Sequence, residues 1–142
     1  MKRFERMAAM ILGAALLSAA VVAADDEVDT GPALKATQAW LAQVDAGKYG
    51  QSWDDAAALF QGAMPKDKWE RSLVSVRTPL GSVVARKMYQ AKYMKELPNA
   101  PAGEYVVIEY QTSFENRPRS VETVTPMRQK DGSWKVAGYY IR

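Results

Sequence analysis

The chain has 142 residues, of which 48% are hydrophobic and 25% charged, a balance typical of one globular domain with or without an export segment. It contains no histidine and no cysteine. Those two absences exclude thiol nucleophiles, disulfides, histidine general bases, Ser-His-Asp triads, haem attachment and the usual zinc sites.

The amino terminus has the pattern of a secretory signal peptide. Residues 2–6 are basic on balance, residues 7–24 carry no charge, and residues 25–27 are acidic. Small residues end the apolar run, so we predict cleavage near Ala24-Asp25 and export to the periplasm or out of the cell. The alternative is that residues 7–24 remain as a membrane anchor, although the run is short and rich in alanine.

Charge gives no reason to expect nucleic-acid binding. Residues 1–24 hold three of the 19 basic and one of the 16 acidic residues, which leaves a net charge of +1 on the remainder. The sequence has no glycine-rich phosphate loop and no calcium loop, so we expect no cofactor and no metal. We also expect no stable membrane insertion once the signal is removed.

Three helices are predicted first, after a flexible lead-in over residues 25–32. The first carries apolar residues at helical spacing from Leu34 to Val44 and stops at Gly47. The second runs from Tyr49 to Phe60, with Gly62 closing it. The third begins at Met64-Pro65, places Trp69, Leu73 and Val76 on one stripe, and ends at Thr78-Pro79.

Four strands are predicted next, because the hydrophobic period changes from helical to two. The clearest is Tyr105 to Phe114, whose residues alternate between an apolar and a more polar face. Val83 to Met94 is a less regular first strand. Val121 to Met127 is the third, with a bulge or an end at Pro126, and Asn116-Arg117-Pro118 is expected to turn before it. Asp131-Gly132 predicts a two-residue hairpin loop into a last strand, Trp134 to Ile141.

Helices followed by strands indicate an α+β fold in which three helices pack on a curved, mainly antiparallel four-stranded sheet, forming a cone. We therefore divide the chain into a signal peptide (1–24), a lead-in (25–32) and a single α+β domain (33–142). The open end of such a cone can hold a ligand.

The sequence resembles a known protein family. The matching residues are Trp40-Leu41, Val44-Asp45, Gly47, Tyr49, Ser52-Trp53, Trp69, Arg77-Thr78-Pro79-Leu80-Gly81, Arg86, Leu97-Pro98, Gly103-Glu104-Tyr105, Phe114, Glu122, Asp131-Gly132, Trp134, Val136 and Gly138-Tyr139-Tyr140. Over residues 33–142 the chain is similar to the bacterial exported family known as domain of unknown function 4019. The resemblance implies an exported protein and no known activity. A wider similarity to cystatin-like or nuclear-transport-factor-2-like cones rests on element order alone.

Four charged residues are the candidates for a ligand site. Arg77 and Arg86 flank the helix-to-sheet junction, where a guanidinium can grip an anionic ligand with two parallel bonds. The competing expectation is a structural salt bridge to Asp45, Asp54 or Glu122, or a hydrogen bond to loop carbonyls. Asp45 is either a pocket carboxylate or, as we expect, a partner for backbone amides of the following turn. Glu122 can pair across strands with an arginine.

The remaining aromatic and charged residues are expected to have structural roles and not ligand-binding ones. The four tryptophans, Trp40, Trp53, Trp69 and Trp134, are expected to fill the core rather than form an aromatic binding box. Glu109 is expected on the solvent face of its strand, and one of Tyr139 and Tyr140 is expected to be exposed. The basic stretch of Arg86, Lys87, Lys92 and Lys95 is expected to protect an edge strand from aggregation.

These observations favour a non-catalytic module of the cell envelope that binds a partner protein or a small anionic ligand. No catalytic residue is assigned. The alternatives are a small cone-fold enzyme that uses a buried carboxylate, and an accessory subunit tethered to the membrane by residues 7–24.

Overall fold

Helices precede strands throughout residues 28–142, the part of the chain that the structure, a computed structural model, describes. The predicted signal peptide lies outside the described residues. The helices are α1 (Gly31–Asp45), α2 (Tyr49–Asp54), α3 (Ala58–Ala63) and α4 (Lys66–Arg77). The strands are β1 (Val83–Met94), β2 (Tyr105–Phe114), β3 (Arg117–Arg128) and β4 (Trp134–Ile141). Within these residues, no helix is long and apolar enough to cross a membrane.

The helical half contains four helices, so the prediction of three is wrong in one place. The second predicted helix is interrupted, because the backbone N–H of Ala57 donates to the carbonyl of Val136 on β4, at 2.8 Å. Ala57 adopts extended backbone angles there, and the helix restarts at Ala58. A contact between residues so far apart in the chain overrides the local helical spacing.

The last helix buries a different stripe from the one predicted. Trp69 and Leu73 are buried as expected, but Val76 is 45% exposed and Arg77 is buried in its place. The buried stripe therefore follows a four-residue step, which carries a cation to the inside of the domain at the end of α4. Helix α1 buries Ala33, Thr37, Trp40, Leu41 and Val44, close to the predicted set.

The strands form one antiparallel sheet in the order β1-β2-β3-β4, which confirms the α+β class and the four-stranded sheet. On β2 the inner face carries Val106, Ile108, Tyr110, Thr112 and Phe114, all buried, as the alternation predicts. The helices cover this inner face. The register shifts between Thr125 and Pro126, which is the bulge expected at that proline.

Two turns differ from the sequence prediction. Strand β3 begins at Arg117, so Pro118 lies inside the strand rather than in a turn. Strand β4 ends beside Val121, so Pro118 sits where β3 has a single neighbour and a proline is tolerated. Between β3 and β4, Gln129 N–H donates to the carbonyl of Ser133, so this pair encloses a loop of three residues (130–132) rather than the predicted two, and Gly132 adopts φ +88°.

The core lies between the helices and the inner face of the sheet. Trp40 and Trp69 are buried in it, while Trp53 and Trp134 pack against it from partly buried positions. The indole N–H groups of Trp40 and Trp69 both donate to Ser52, to its carbonyl and its hydroxyl respectively. The prediction that the tryptophans serve packing is confirmed, and the inner face beside β4 is filled rather than open.

Candidate functional site

The four predicted site residues meet at one place on the inner face of the sheet. Asp45 is the last residue of α1 and Arg77 the last residue of α4, so two helix ends point there. Arg86 lies on β1, and Glu122 lies on β3. We call Asp45, Arg77, Arg86, Glu122, Thr112 and Tyr139 the charge network.

The Asp45 carboxylate accepts hydrogen bonds from the guanidinium groups of Arg77 and Arg86. Arg77 Nη2 donates to Oδ1 at 2.9 Å, and Arg86 donates from Nη1 to Oδ2 at 2.7 Å and from Nη2 to Oδ1 at 3.0 Å. The expectation that Asp45 bonds backbone amides of the next turn is wrong. That turn is closed by backbone bonds instead, including Lys48 N–H to the carbonyl of Gln43 at 2.9 Å.

Glu122 is fully buried, with a relative exposure of 0%. Arg86 Nε donates to its Oε1 at 2.7 Å, and Nη2 donates to its Oε2 at 3.2 Å. The Thr112 hydroxyl donates to Oε1, and the Tyr139 hydroxyl donates to Oε2. The predicted cross-strand pairing of Glu122 with an arginine is confirmed, and four donors satisfy this carboxylate.

Arg77 is 5% exposed and less fully satisfied. Its Nε and Nη1 have no hydrogen-bond partner among the described residues. Its guanidinium lies 5.0 Å from the ring centroid of Phe114, an arrangement that attracts a cation to the ring face. The Asp45 carboxylate and the Phe114 ring therefore both stabilise the buried Arg77 guanidinium.

Burial and pairing act in opposite directions on the titration of the network. Burial alone would raise the pKa of Asp45, but hydrogen bonds and charges from Arg86 and Arg77 hold that pKa below its ordinary value. Burial would lower the pKa of Arg86, yet its bonds to Asp45 and Glu122 raise it. For Tyr139, burial and the adjacent Glu122 charge raise the pKa of the phenol. Asp45 and Arg86 thus remain charged at neutral pH.

Two cations and two carboxylates leave the charge network electrically neutral. A fixed anion-binding site needs positive charge that is free of internal counter-ions. Arg77 and Arg86 form structural salt bridges, which were the alternative to a ligand-binding role for them. Residues 28–142 contain no cluster of three acidic side chains that could ligate a metal.

A cleft of about 340 Å³ opens over the exposed side of the network. Asp45 and Arg86 line it, together with Gln38, Leu41, Ala42, Met88 and Tyr110. Asp45 keeps 30% of its side chain exposed there. Tyr110 is buried and its hydroxyl has no partner in the described part of the chain, so this cleft is bounded by an unsatisfied polar group.

Aromatic side chains fill the rest of the inner face. Trp40 and Tyr139 meet edge to face with centroids 5.3 Å apart, and Phe60 meets Trp69 in the same way at 4.8 Å. Tyr139 therefore joins the aromatic core to the charge network through its hydroxyl. Its neighbour Tyr140 is 55% exposed, so the prediction that one of the two tyrosines faces solvent is confirmed.

Other acidic candidates lie away from the network. Glu109 is on the outer face of β2, as predicted, and accepts hydrogen bonds from Gln90 and Arg142. Glu104 precedes β2 and accepts a hydrogen bond from the Tyr93 hydroxyl. Neither carboxylate contacts Arg77 or Arg86.

Sequence reasoning missed the two hydroxyl members of the network. Thr112 carried a usable signal, because it is the one polar side chain among the apolar residues on the inner face of β2. A polar residue at such a position needs a buried partner, which here is Glu122. Tyr139 carried no comparable signal, since packing of its ring alone accounts for an aromatic residue on a strand.

Comparison with known families settles the affiliation of the chain. The family model described as Protein of unknown function (DUF4019) matches residues 36–139. The chain belongs to that family. The match spans β1 to β3, most of β4 and most of α1, and it includes every member of the charge network. Among curated protein sequences, no match to the chain was found.

Proposed function

We propose that this family member is an exported, non-catalytic binding module of the cell envelope. The observation that carries the proposal is the mutual neutralisation of Asp45, Arg77, Arg86 and Glu122 inside the domain. Residues that could have supplied acid–base chemistry or gripped a substrate anion instead tie two helix ends to the sheet. Binding is then assigned to the surface of the domain.

Burial of Glu122 argues against the alternative of an enzyme that uses a buried carboxylate. A general base must come within hydrogen-bond reach of the proton that it removes. Glu122 has no exposed surface, and its two oxygens already accept from Arg86, Thr112 and Tyr139. Asp45 is reachable from the cleft, but two guanidinium groups keep its pKa low, which makes it a weak base at neutral pH.

The export part of the proposal rests on the basic, apolar and acidic succession over residues 2–27. We expect the cellular protein to begin at Asp25 when its intact mass is measured by mass spectrometry. A mass that includes residues 1–24 would contradict cleavage and favour the membrane-tethered alternative.

The non-catalytic part is tested by Glu122→Gln. The amide no longer neutralises Arg86, so we expect the free energy of unfolding to fall by about 3 kcal/mol, measured by urea denaturation. Glu104→Gln is the matched control, because that carboxylate and its partner Arg128 keep 37% and 48% of their side chains exposed. We expect the control to change stability by less than about 1 kcal/mol.

The sign of the Glu122→Gln effect decides between the two functions. Groups held in place for catalysis are commonly kept at a cost to stability, so their removal stabilises the fold. An unchanged or higher free energy of unfolding for Glu122→Gln would contradict the proposal. Turnover of an envelope metabolite that a single carboxylate substitution abolishes would also contradict it.

A further inference from the structure

The outer face of the sheet carries a second cleft, larger than the one over the charge network. Its volume is about 560 Å³, and it crosses β1, β2 and β3 to the end of β4. Lys87 pairs in register with Gln111, Gln111 with Val121, and Val121 with Arg142. These four residues form one row across the sheet, with a cation at each end.

Two of the cations that line this outer cleft, Lys87 and Arg119, have no internal carboxylate as a partner among the described residues. Arg119 joins Lys87 and Arg142 in lining it, and no acidic residue lines it. Arg86 and Thr112 of the charge network also border this cleft, and Arg86 is already paired with Asp45 and Glu122. Arg142 is paired with Glu109 at 2.8 Å, but Lys87 and Arg119 make no ion pair with any residue from 28 to 142. The outer cleft therefore differs in charge from the neutral network on the inner face.

Donors and apolar walls accompany these cations. Gln111 and Ser113 add an amide and a hydroxyl donor, while Ala85, Pro118 and Val121 supply apolar surface. An anion with several acceptor oxygens satisfies several donors at once, which a phosphate does better than a single carboxylate. The apolar wall favours a phosphate that is esterified to an apolar group over bare phosphate.

We propose that the outer cleft binds a phosphate ester through Lys87 and Arg119, with Arg142 at its margin. This inference rests on the proposed function, because it names the ligand class of the binding module. The phosphate belongs either to a soluble ester or to a phospholipid headgroup, and both sources present the same chemistry to the cleft. Lys87 thus has a role beyond protecting the edge of β1.

The test titrates the purified protein with phenyl phosphate, followed by NMR chemical shifts. We expect saturable shifts at residues of the outer cleft, and none with benzyl alcohol, which lacks the charge. The double variant Lys87→Gln/Arg119→Gln should weaken binding about tenfold or more, since it removes two charged donors. Both side chains are exposed, so its unfolding transition should match that of the parent protein.

A matched control removes the same charge from another part of the chain. Lys92 lies on the outer face of the same strand and Lys95 follows β1, and neither lines the cleft. Lys92→Gln/Lys95→Gln should leave the affinity for phenyl phosphate within about twofold of the parent value. Equal weakening by both double variants would overturn the proposal, because it would indicate attraction by net charge alone.

Vesicles separate the two sources of phosphate. Binding to phosphatidylglycerol vesicles but not to phosphatidylcholine vesicles, lost in Lys87→Gln/Arg119→Gln, would support a headgroup ligand. Binding of phenyl phosphate alone would support a soluble ester. Binding of neither probe would overturn the inference and leave the proposed function intact, since that is judged by the stability of Glu122→Gln.

Discussion

Asp45 illustrates how a single residue takes its role from groups far along the chain. Its side chain accepts from Arg77 and Arg86, which lie 32 and 41 positions away in sequence. Their charges hold the pKa of Asp45 below the ordinary value of 3.8. Because the pKa is lower in the folded protein than in the unfolded chain, the folded state binds fewer protons than the unfolded chain at acidic pH.

The contribution of Asp45 to stability therefore depends on pH with a definite sign. It is fully present above the ordinary pKa of 3.8 and is lost as the pH falls through the lower folded value. We expect urea denaturation to show that Asp45→Asn is less stable than the parent at neutral pH. The difference between the two proteins should shrink steadily in acid.

Other carboxylates share this acid dependence, which is why the difference is the informative quantity. A backbone N–H of Ser82 lowers the pKa of Glu115, and hydrogen bonds from Ser133 lower that of Asp131. Both contribute equally to the parent and to Asp45→Asn. A gap between the two curves that stays constant down to the lowest pH would contradict the assigned role of Asp45.

Two tyrosines of the inner face, Tyr139 and Tyr110, offer a second residue-scale prediction. Tyr139 donates to Glu122, whereas the buried hydroxyl of Tyr110 has no partner among the described residues. Tyr139→Phe should lower the free energy of unfolding by about 1–3 kcal/mol, because Glu122 loses a donor. Tyr110→Phe should leave it unchanged or raise it by up to about 1 kcal/mol, since an unsatisfied hydroxyl is removed. Equal urea midpoints for both variants would contradict this distinction.

At the scale of the elements, the link from α4 to β1 depends on a glycine. Gly81 adopts φ +76°, and an added Cβ would lie 2.9 Å from Glu115 Oε1. Gly81→Ala should therefore lower the free energy of unfolding by about 1–2 kcal/mol, as measured by thermal or urea denaturation.

Gly62 is the matched control for that glycine. It lies within α3, and an added Cβ would meet no atom within 4 Å. Gly62→Ala should stabilise the protein by about 0.5–1 kcal/mol, because alanine loses less conformational freedom in a helix. Destabilisation by both substitutions would show that the backbone geometry at Gly81 is not the cause.

Elements whose pattern is set by their own two faces were predictable from the sequence. Strand β2 alternates because its inner face is buried and its outer face is not, and the sequence carries that contrast directly. The break between α2 and α3 was not predictable, since it depends on a hydrogen bond from Ala57 to Val136. The burial of Arg77 depends likewise on Asp45 and Phe114, neither of which is a local neighbour.

At the scale of the whole molecule, the sequence was enough to select the charged residues that come together. It was not enough to predict that they neutralise one another. Asp45, Arg77, Arg86 and Glu122 could be selected by residue type and by their place at predicted element ends. Their neutrality follows only from distances, which require α1, α4, β1 and β3 to be packed. The outer cleft was hidden for the same reason, because Lys87 and Arg119 are brought to one face by strand register.

The central claim is that the charge network holds the domain together instead of serving a reaction. A double-mutant cycle on Arg86 and Glu122 tests it most directly, with urea denaturation of the parent, Arg86→Met, Glu122→Gln and the double variant. We predict a favourable coupling energy of about 2 kcal/mol, as expected for a hydrogen-bonded pair that is shielded from water. A coupling energy indistinguishable from zero, or a Glu122→Gln protein more stable than the parent, would contradict the claim.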